Sequence, residues 1–144
     1  MEIKNFKKIL NDDLSLNGFS KQGSYYYRSN KDILFIIGLQ KSNFSNSYYI
    51  NLGLILKELT LHIDKPRDVD SDIRARFTIE QHGKKTDLFD LEALTEIALR
   101  RGVEDNINTY IEPIKSVQDL KYLIESRPVM LYQTKLKAKQ FLGF

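Results

Sequence analysis

Two neighbouring runs constrain the fold of this chain more than any other feature. Residues 33–40, ILFIIGLQ, are β-branched, aromatic and almost wholly apolar, as a central strand covered on both faces would be. Residues 48–57, YYINLGLILK, alternate instead, with Tyr48, Ile50, Leu52, Leu54 and Leu56 on one face. The intervening segment is crowded with amides and hydroxyls, the composition of a tight connection. A four-residue loop, Phe44-Ser45-Asn46-Ser47, would join the runs as a hairpin around a type I turn. This pairing opposes Leu39 with Leu52, Ile37 with Leu54 and Phe35 with Leu56, making one face uniformly apolar. The other face receives Ser42 with Tyr49, Gln40 with Asn51, and Gly38 with Gly53. A slip of one residue would mix the two classes, so the pattern selects against it.

A polar recess near the turn follows. Gln40 and Asn51 supply donors and acceptors there, and glycine inside a strand often marks close approach by another backbone or a ligand. The commoner use of such amides is structural, satisfying loop or helix backbone groups.

On the N-terminal side, Ile3, Phe6, Ile9, Leu10 and Leu14 recur at helical spacing before Asn17-Gly18, predicting a helix over 3–16. Tyr25-Tyr26-Tyr27-Arg28, between turn residues, predicts a strand at 24–28, followed by strands at 33–41 and 48–57. Leu61 and Ile63 suit a strand extension before the polar loop DKPRDVDSD. Alternation of Ile73, Ala75, Phe77 and Ile79 predicts a strand over 73–80, broken by His82-Gly83-Lys84-Lys85.

The period then changes. A helix is expected at 88–101, with Asp87 and Asp90 as N-cap candidates and Gly102 as its stop. Another is expected at 103–112, ended by Pro113. Ser116 and Asp119 open a third at 117–126, and a fourth occupies 130–142. The expected fold is a single α+β domain over 1–144. It has a mainly antiparallel sheet of about four strands, with the N-terminal helix and the C-terminal helical segment packed on one face.

Several strings stand out together: Gly18-Phe19, Tyr27-Arg28, Gln40-Lys41-Ser42 and Asn51-Leu52-Gly53. In this order they resemble the N-terminal signature of the bacterial family called domain of unknown function 4304. The run from Asp72 to Phe77 resembles that family's next strand, with Arg76 as the counterpart of a recurring arginine. The resemblance covers the first half to two thirds of the chain. It implies a bacterial origin and brings no known catalytic role.

Composition narrows the chemistry. The 144 residues suffice for one sizeable core. There is no cysteine, which removes disulfides, thiol nucleophiles and cysteine-ligated metals. The two histidines, His62 and His82, sit far apart in polar segments and read as surface residues. Asp68-Val69-Asp70-Ser71-Asp72 lacks the glycine and terminal glutamate of a calcium loop. Neither phosphate-cradling glycine motif occurs. No catalytic residue, metal or cofactor is therefore expected. The longest apolar stretch, residues 33–39, is too short for a membrane span, and lysines interrupt the N-terminus. The expectation is a cytoplasmic protein.

The net charge of +3 resides in Lys135, Lys137 and Lys139, which leaves residues 1–128 neutral and argues against nucleic acid as a partner. Tyr25, Tyr26, Tyr27, Arg28, Arg74 and Arg76 could be assembled into a base-stacking, phosphate-binding surface, but successive tyrosines on a strand point opposite ways. The leading expectation is a non-enzymatic binding protein, specifically a bacterial immunity protein whose partner is a toxin. One alternative is a small-ligand or enzymatic domain using the recess, with Gln40, Ser42, Tyr49 and Asn51 as contacts and Arg76 for an anion. A weak nucleic-acid module is the other.

Overall fold

The computed structural model describes residues 1–60 and 64–144. Leu61 and Ile63, expected as a strand extension, and His62 lie outside the described residues. Helix α1 (Ile3–Leu16) leads into β1 (Ser20–Gln22), β2 (Tyr25–Ser29), β3 (Ile33–Lys41) and β4 (Ser47–Leu56). After a crossing segment come β5 (Ile73–Arg76), β6 (Ile79–Gln81), β7 (Lys84–Thr86) and β8 (Leu88–Asp90). Helices α2 (Glu96–Tyr110), α3 (Val117–Ser126) and α4 (Leu136–Leu142) complete the chain, with a 3-10 helix over Pro128–Gln133. The fold is α+β. Strands pair antiparallel in the order β1-β2-β3-β4-β5, and β8 also pairs with β4. Strands β6 and β7 make a separate hairpin.

The apolar face of the central hairpin forms the core. Phe35, Ile37, Leu52 and Leu54 are buried with Phe6, Leu10 and Leu14 of α1 and Leu99, Val103 and Ile107 of α2. Burying side chains of this size on all three elements is the main stabilising contribution, about 2 kcal/mol for each. Helix α4 is docked as well, through buried Ala138 and Leu142.

The β3–β4 register differs from the expected one by two residues. Leu39 opposes Ile50, Ile37 opposes Leu52, and Gln40 opposes Tyr49. Gly38 opposes Asn51, and Gly53 opposes Ile36, so the glycines do not face each other. A two-residue slip leaves every side chain on its own face, so the hydrophobic pattern is blind to it. Turn chemistry decides. The Ser42 amide donates to the Ser47 carbonyl, and Lys41 Nζ caps the Ser42 and Ser45 carbonyls. The loop is therefore Asn43-Phe44-Ser45-Asn46, one residue earlier than expected.

Three further boundaries move for tertiary reasons. The expected 73–80 strand divides at Phe77-Thr78, where the Asn106 side chain receives the Thr78 N–H and donates to the Thr78 carbonyl. Residues 88–90 are a strand, paired to Ser47, Tyr48 and Tyr49, where a helix was expected from 88. The helices expected at 88–101 and 103–112 are consequently one, capped by Thr95 and running through Gly102. Asp87 and Asp90 cap nothing helical, and Gly102 packs beside Ile79. The segment expected as a helix over 130–142 is interrupted at Thr134, which bridges to Ile73.

Candidate functional site

The polar face of the hairpin holds two different environments. Over Gly38 and Gly53 runs a strap from residue 64 to 72, containing the 3-10 turn Asp68–Asp70. The Pro66 carbonyl accepts from the Tyr27 hydroxyl at 2.8 Å, and burial pushes the pKa of that hydroxyl up. A Cβ on Gly53 would lie 2.0 Å from Ser71 Oγ and 3.0 Å from the Asp68 Cα. The room left by the glycines is thus taken by the chain itself, by Ser71 and the Asp68 backbone over Gly53 and by the Tyr25 and Asp68 side chains over Gly38. Ser71 Oγ is buried there and has no hydrogen-bond partner among the described residues. Ser71→Ala is expected to be neutral or to stabilise by up to about 1 kcal/mol, because it removes an unsatisfied polar atom. Urea unfolding of the variant checks this, and a loss of stability would contradict it.

Toward the turn the same face is polar, and the topology of β4 explains why. Strands β5 and β8 share one edge of β4: Arg76 opposes Asn51, and Leu88 opposes Tyr49. The end of β5 and the start of β8 therefore meet at Ile50, whose carbonyl accepts from Phe77 N. This brings Arg76 beside Asp87. The guanidinium donates from Nε to Asn51 Oδ1 at 3.0 Å, from Nη1 to Asp87 Oδ2 at 3.2 Å, and from Nη2 to Gln40 Oε1 at 3.3 Å. Asn51 Nδ2 donates to Gln40 Oε1 at 3.0 Å, across the diagonal that the observed register creates. The Tyr49 ring lies under the guanidinium, 3.9 Å from its carbon.

Four of the five predicted residues, Gln40, Tyr49, Asn51 and Arg76, thus form one cluster. Ser42 is elsewhere: it opposes Ser47, and its hydroxyl accepts from the Phe44 amide within the turn. Asp87 resembles a helix cap in the sequence, and no sequence signal ties it to Arg76. Of the tyrosines, Tyr26 turns to the helix side and donates to Asn11, while Arg28 bonds Glu112 and the Asn17 carbonyl. The base-stacking surface assembled from residues 25–28 is therefore divided between two faces.

Beside this cluster opens a cleft of about 840 Å³. Its walls are the outer edge of β5, the β6–β7 hairpin, Tyr110 of α2, and Val129, Met130 and Gln133 of the 3-10 helix. A smaller cavity of about 330 Å³ shares Thr78, Lys85 and Tyr110 with it and adds Arg101 and Arg127. Basic side chains outnumber acidic ones in both, strongly in the larger: Arg74, Arg76, Lys84 and Lys85 line it with Asp87, and Lys85, Arg101 and Arg127 line the smaller with Glu80 and Asp105. Arg74 is paired with Asp68 at 3.6 Å. Among the described residues, Lys84, Lys85, Arg101 and Arg127 make no ion pair, although Arg127 lies over the Tyr110 ring. A chain body of zero net charge has been folded so that one concavity is basic.

The family described as domain of unknown function (DUF4304) matches residues 10–116. The chain belongs to this family. All five members of the Arg76 cluster fall inside the DUF4304 match, whereas the cleft wall contributed by Val129, Met130 and Gln133 lies beyond it. Neither a curated protein nor a solved structure matches the chain. Among the described residues, no helix is long and apolar enough to cross a membrane.

Proposed function

We propose that this DUF4304 protein is a non-enzymatic binding protein whose receptor is the basic cleft and whose ligand is an acidic surface of another protein. The observation that carries the reading is the fixed guanidinium of Arg76. Three of its N–H groups are committed to Asn51, Asp87 and Gln40, its face is stacked on Tyr49, and 38% of the side chain stays exposed. A guanidinium has five N–H donors, so some remain for a ligand. Holding the group in place beforehand removes the entropy of ordering an arginine when the ligand arrives. A bacterial immunity protein that neutralises a toxin by covering a carboxylate-bearing region is the specific form of this reading. It accommodates a basic receptor surface, where an inhibitor mimicking nucleic acid would need an acidic one.

The test is co-purification with the products of neighbouring genes, comparing the intact chain with Arg76→Ala and with a Gln40→Ala/Asn51→Ala double variant. A partner retained by the intact chain should bind Arg76→Ala about tenfold more weakly, the loss of one charge-assisted contact. Unchanged thermal melting would show that the variants are folded. Failure of every neighbouring product to form a complex would remove the immunity reading. A partner indifferent to all these substitutions would place the interface elsewhere.

A further inference from the structure

The cleft contains a feature that charge alone does not require, a short stretch of sheet edge at the end of β5. Phe77 N donates to Ile50 on β4, so its amide points into the sheet. In an antiparallel pair the backbone groups alternate, which turns the N–H and C=O of Arg74 and Arg76 away from β4 and toward the outer edge. The Asp72 carbonyl points to the same side and accepts from Lys135 N, while its amide donates to Leu54 on β4. At the start of β5 the chain itself uses this edge, through the Ile73–Thr134 bridge. That bridge turns the Arg74 N–H toward Gln133, and Asn106 takes both backbone groups of Thr78, so the edge groups that face the cleft are the Arg74 carbonyl and the N–H and carbonyl of Arg76. Exposed strand edges of this kind are templates for another extended chain.

We infer that the ligand of the cleft is an extended acidic segment of the partner, added as a further strand along the outer edge of β5. This deepens the proposed function and rests on it. The two faces of β5 specify the segment's pattern. Arg74 and Arg76 share one face, so alternate side chains of the added strand should be acidic. The intervening positions fall near Ala75, Met130 and Val129, so they should be apolar or small. Lys84 and Lys85 supply further positive charge across the cleft. Main-chain hydrogen bonds would give affinity and the alternating side chains selectivity, as in other strand additions. A nucleic-acid strand would use the charge but not the backbone edge.

The probe is the blocked peptide EVETEVE, titrated into the isotope-labelled full-length protein at low salt. The expected result is saturable binding that shifts the amide of Arg76, weakened about tenfold by Arg74→Glu, a variant whose folding is checked by its amide spectrum. Two N-methylated versions decide the mode. One carries the methyl groups at every glutamate, the other at the valines and threonine. Strand addition requires that one version lose binding while the other keeps it, because only alternate N–H groups of the peptide face the edge. Equal behaviour of both versions would overturn strand addition while leaving the basic cleft as a receptor. No binding of the parent peptide would overturn both, and tighter binding of a thymidine oligonucleotide would overturn the acidic segment in favour of nucleic acid.

Discussion

Gly53→Ala is expected to destabilise the protein by about 3 kcal/mol, at the upper end of what overpacking a rigid site costs. The reason is what the methyl group meets. Ser71 Oγ and Cβ would lie at 2.0 and 2.8 Å, and the Asp68 Cα at 3.0 Å, so a backbone atom blocks the escape that a side chain would allow. Gly38 is the instructive comparison. Its Cβ would meet the Tyr25 ring at 2.7 Å and Asp68 Oδ1 at 3.2 Å, both of them side-chain atoms that are able to move. Gly38→Ala should therefore cost only about 1 kcal/mol. Adding Ser71→Gly to Gly53→Ala should recover part of the loss, since it relieves the serine contacts and leaves the Asp68 one. Urea unfolding of the three variants tests this. A Gly53→Ala cost no larger than that of Gly38→Ala would mean that the strap is not packed on β4.

The second large effect concerns Asp72. Its side chain is fully buried, and Oδ2 accepts the Leu56 N–H at 2.9 Å. Both carboxylate oxygens accept from the Thr60 hydroxyl, at 2.8 and 2.9 Å. The residue's backbone amide donates to the Leu54 carbonyl, and its carbonyl accepts from Lys135. Asp72 thus joins the end of β4, the start of β5 and the entry to α4. Asp72→Ala leaves the buried Leu56 amide without its acceptor and takes from the half-buried Thr60 hydroxyl the carboxylate it donates to, with an expected cost of about 3 kcal/mol. Asp72→Asn keeps one acceptor oxygen and should lose less. The Lys137 ammonium lies 3.9 Å away but is half exposed, so Lys137→Ala should cost under about 1 kcal/mol. Chemical denaturation of the three variants distinguishes the sources of stability: a Lys137→Ala loss matching that of Asp72→Ala would mean that the ion pair, and not the hydrogen bonds, holds this junction together.

How much of the site was legible follows from which residues depend on parity and which on pairing. Gln40, Tyr49 and Asn51 share a face whatever even-numbered slip the hairpin takes, so alternation alone groups them. Arg76 entered through a family resemblance and was placed beside them by the β4–β5 register. Ser42 joins the group only in a register two residues off, and its actual role belongs to the turn. Asp87 and the lysines of β7 could not be grouped with Arg76, because nothing local announces that two separate strands will share one edge of β4.

The helix boundaries divide in the same way. Helix 3–16 was readable because it is a long run with one dominant period, and the strand at 33–41 because it is a continuous β-branched and apolar run bounded by turn residues. Residues 88–90 were not, since three residues carry no period and their strand conformation exists only because Ser47, Tyr48 and Tyr49 pair with them. The amino-acid sequence by itself determined the α+β class, the two faces of the central hairpin and the absence of cysteine chemistry, all properties of composition or of short-range alternation. Tertiary structure alone decided the hairpin register, the strap that fills the glycine recess, and the basic cleft. Each of those depends on contacts between residues distant in the chain, and a neutral count of charges holds no information about which of them fold to the same side.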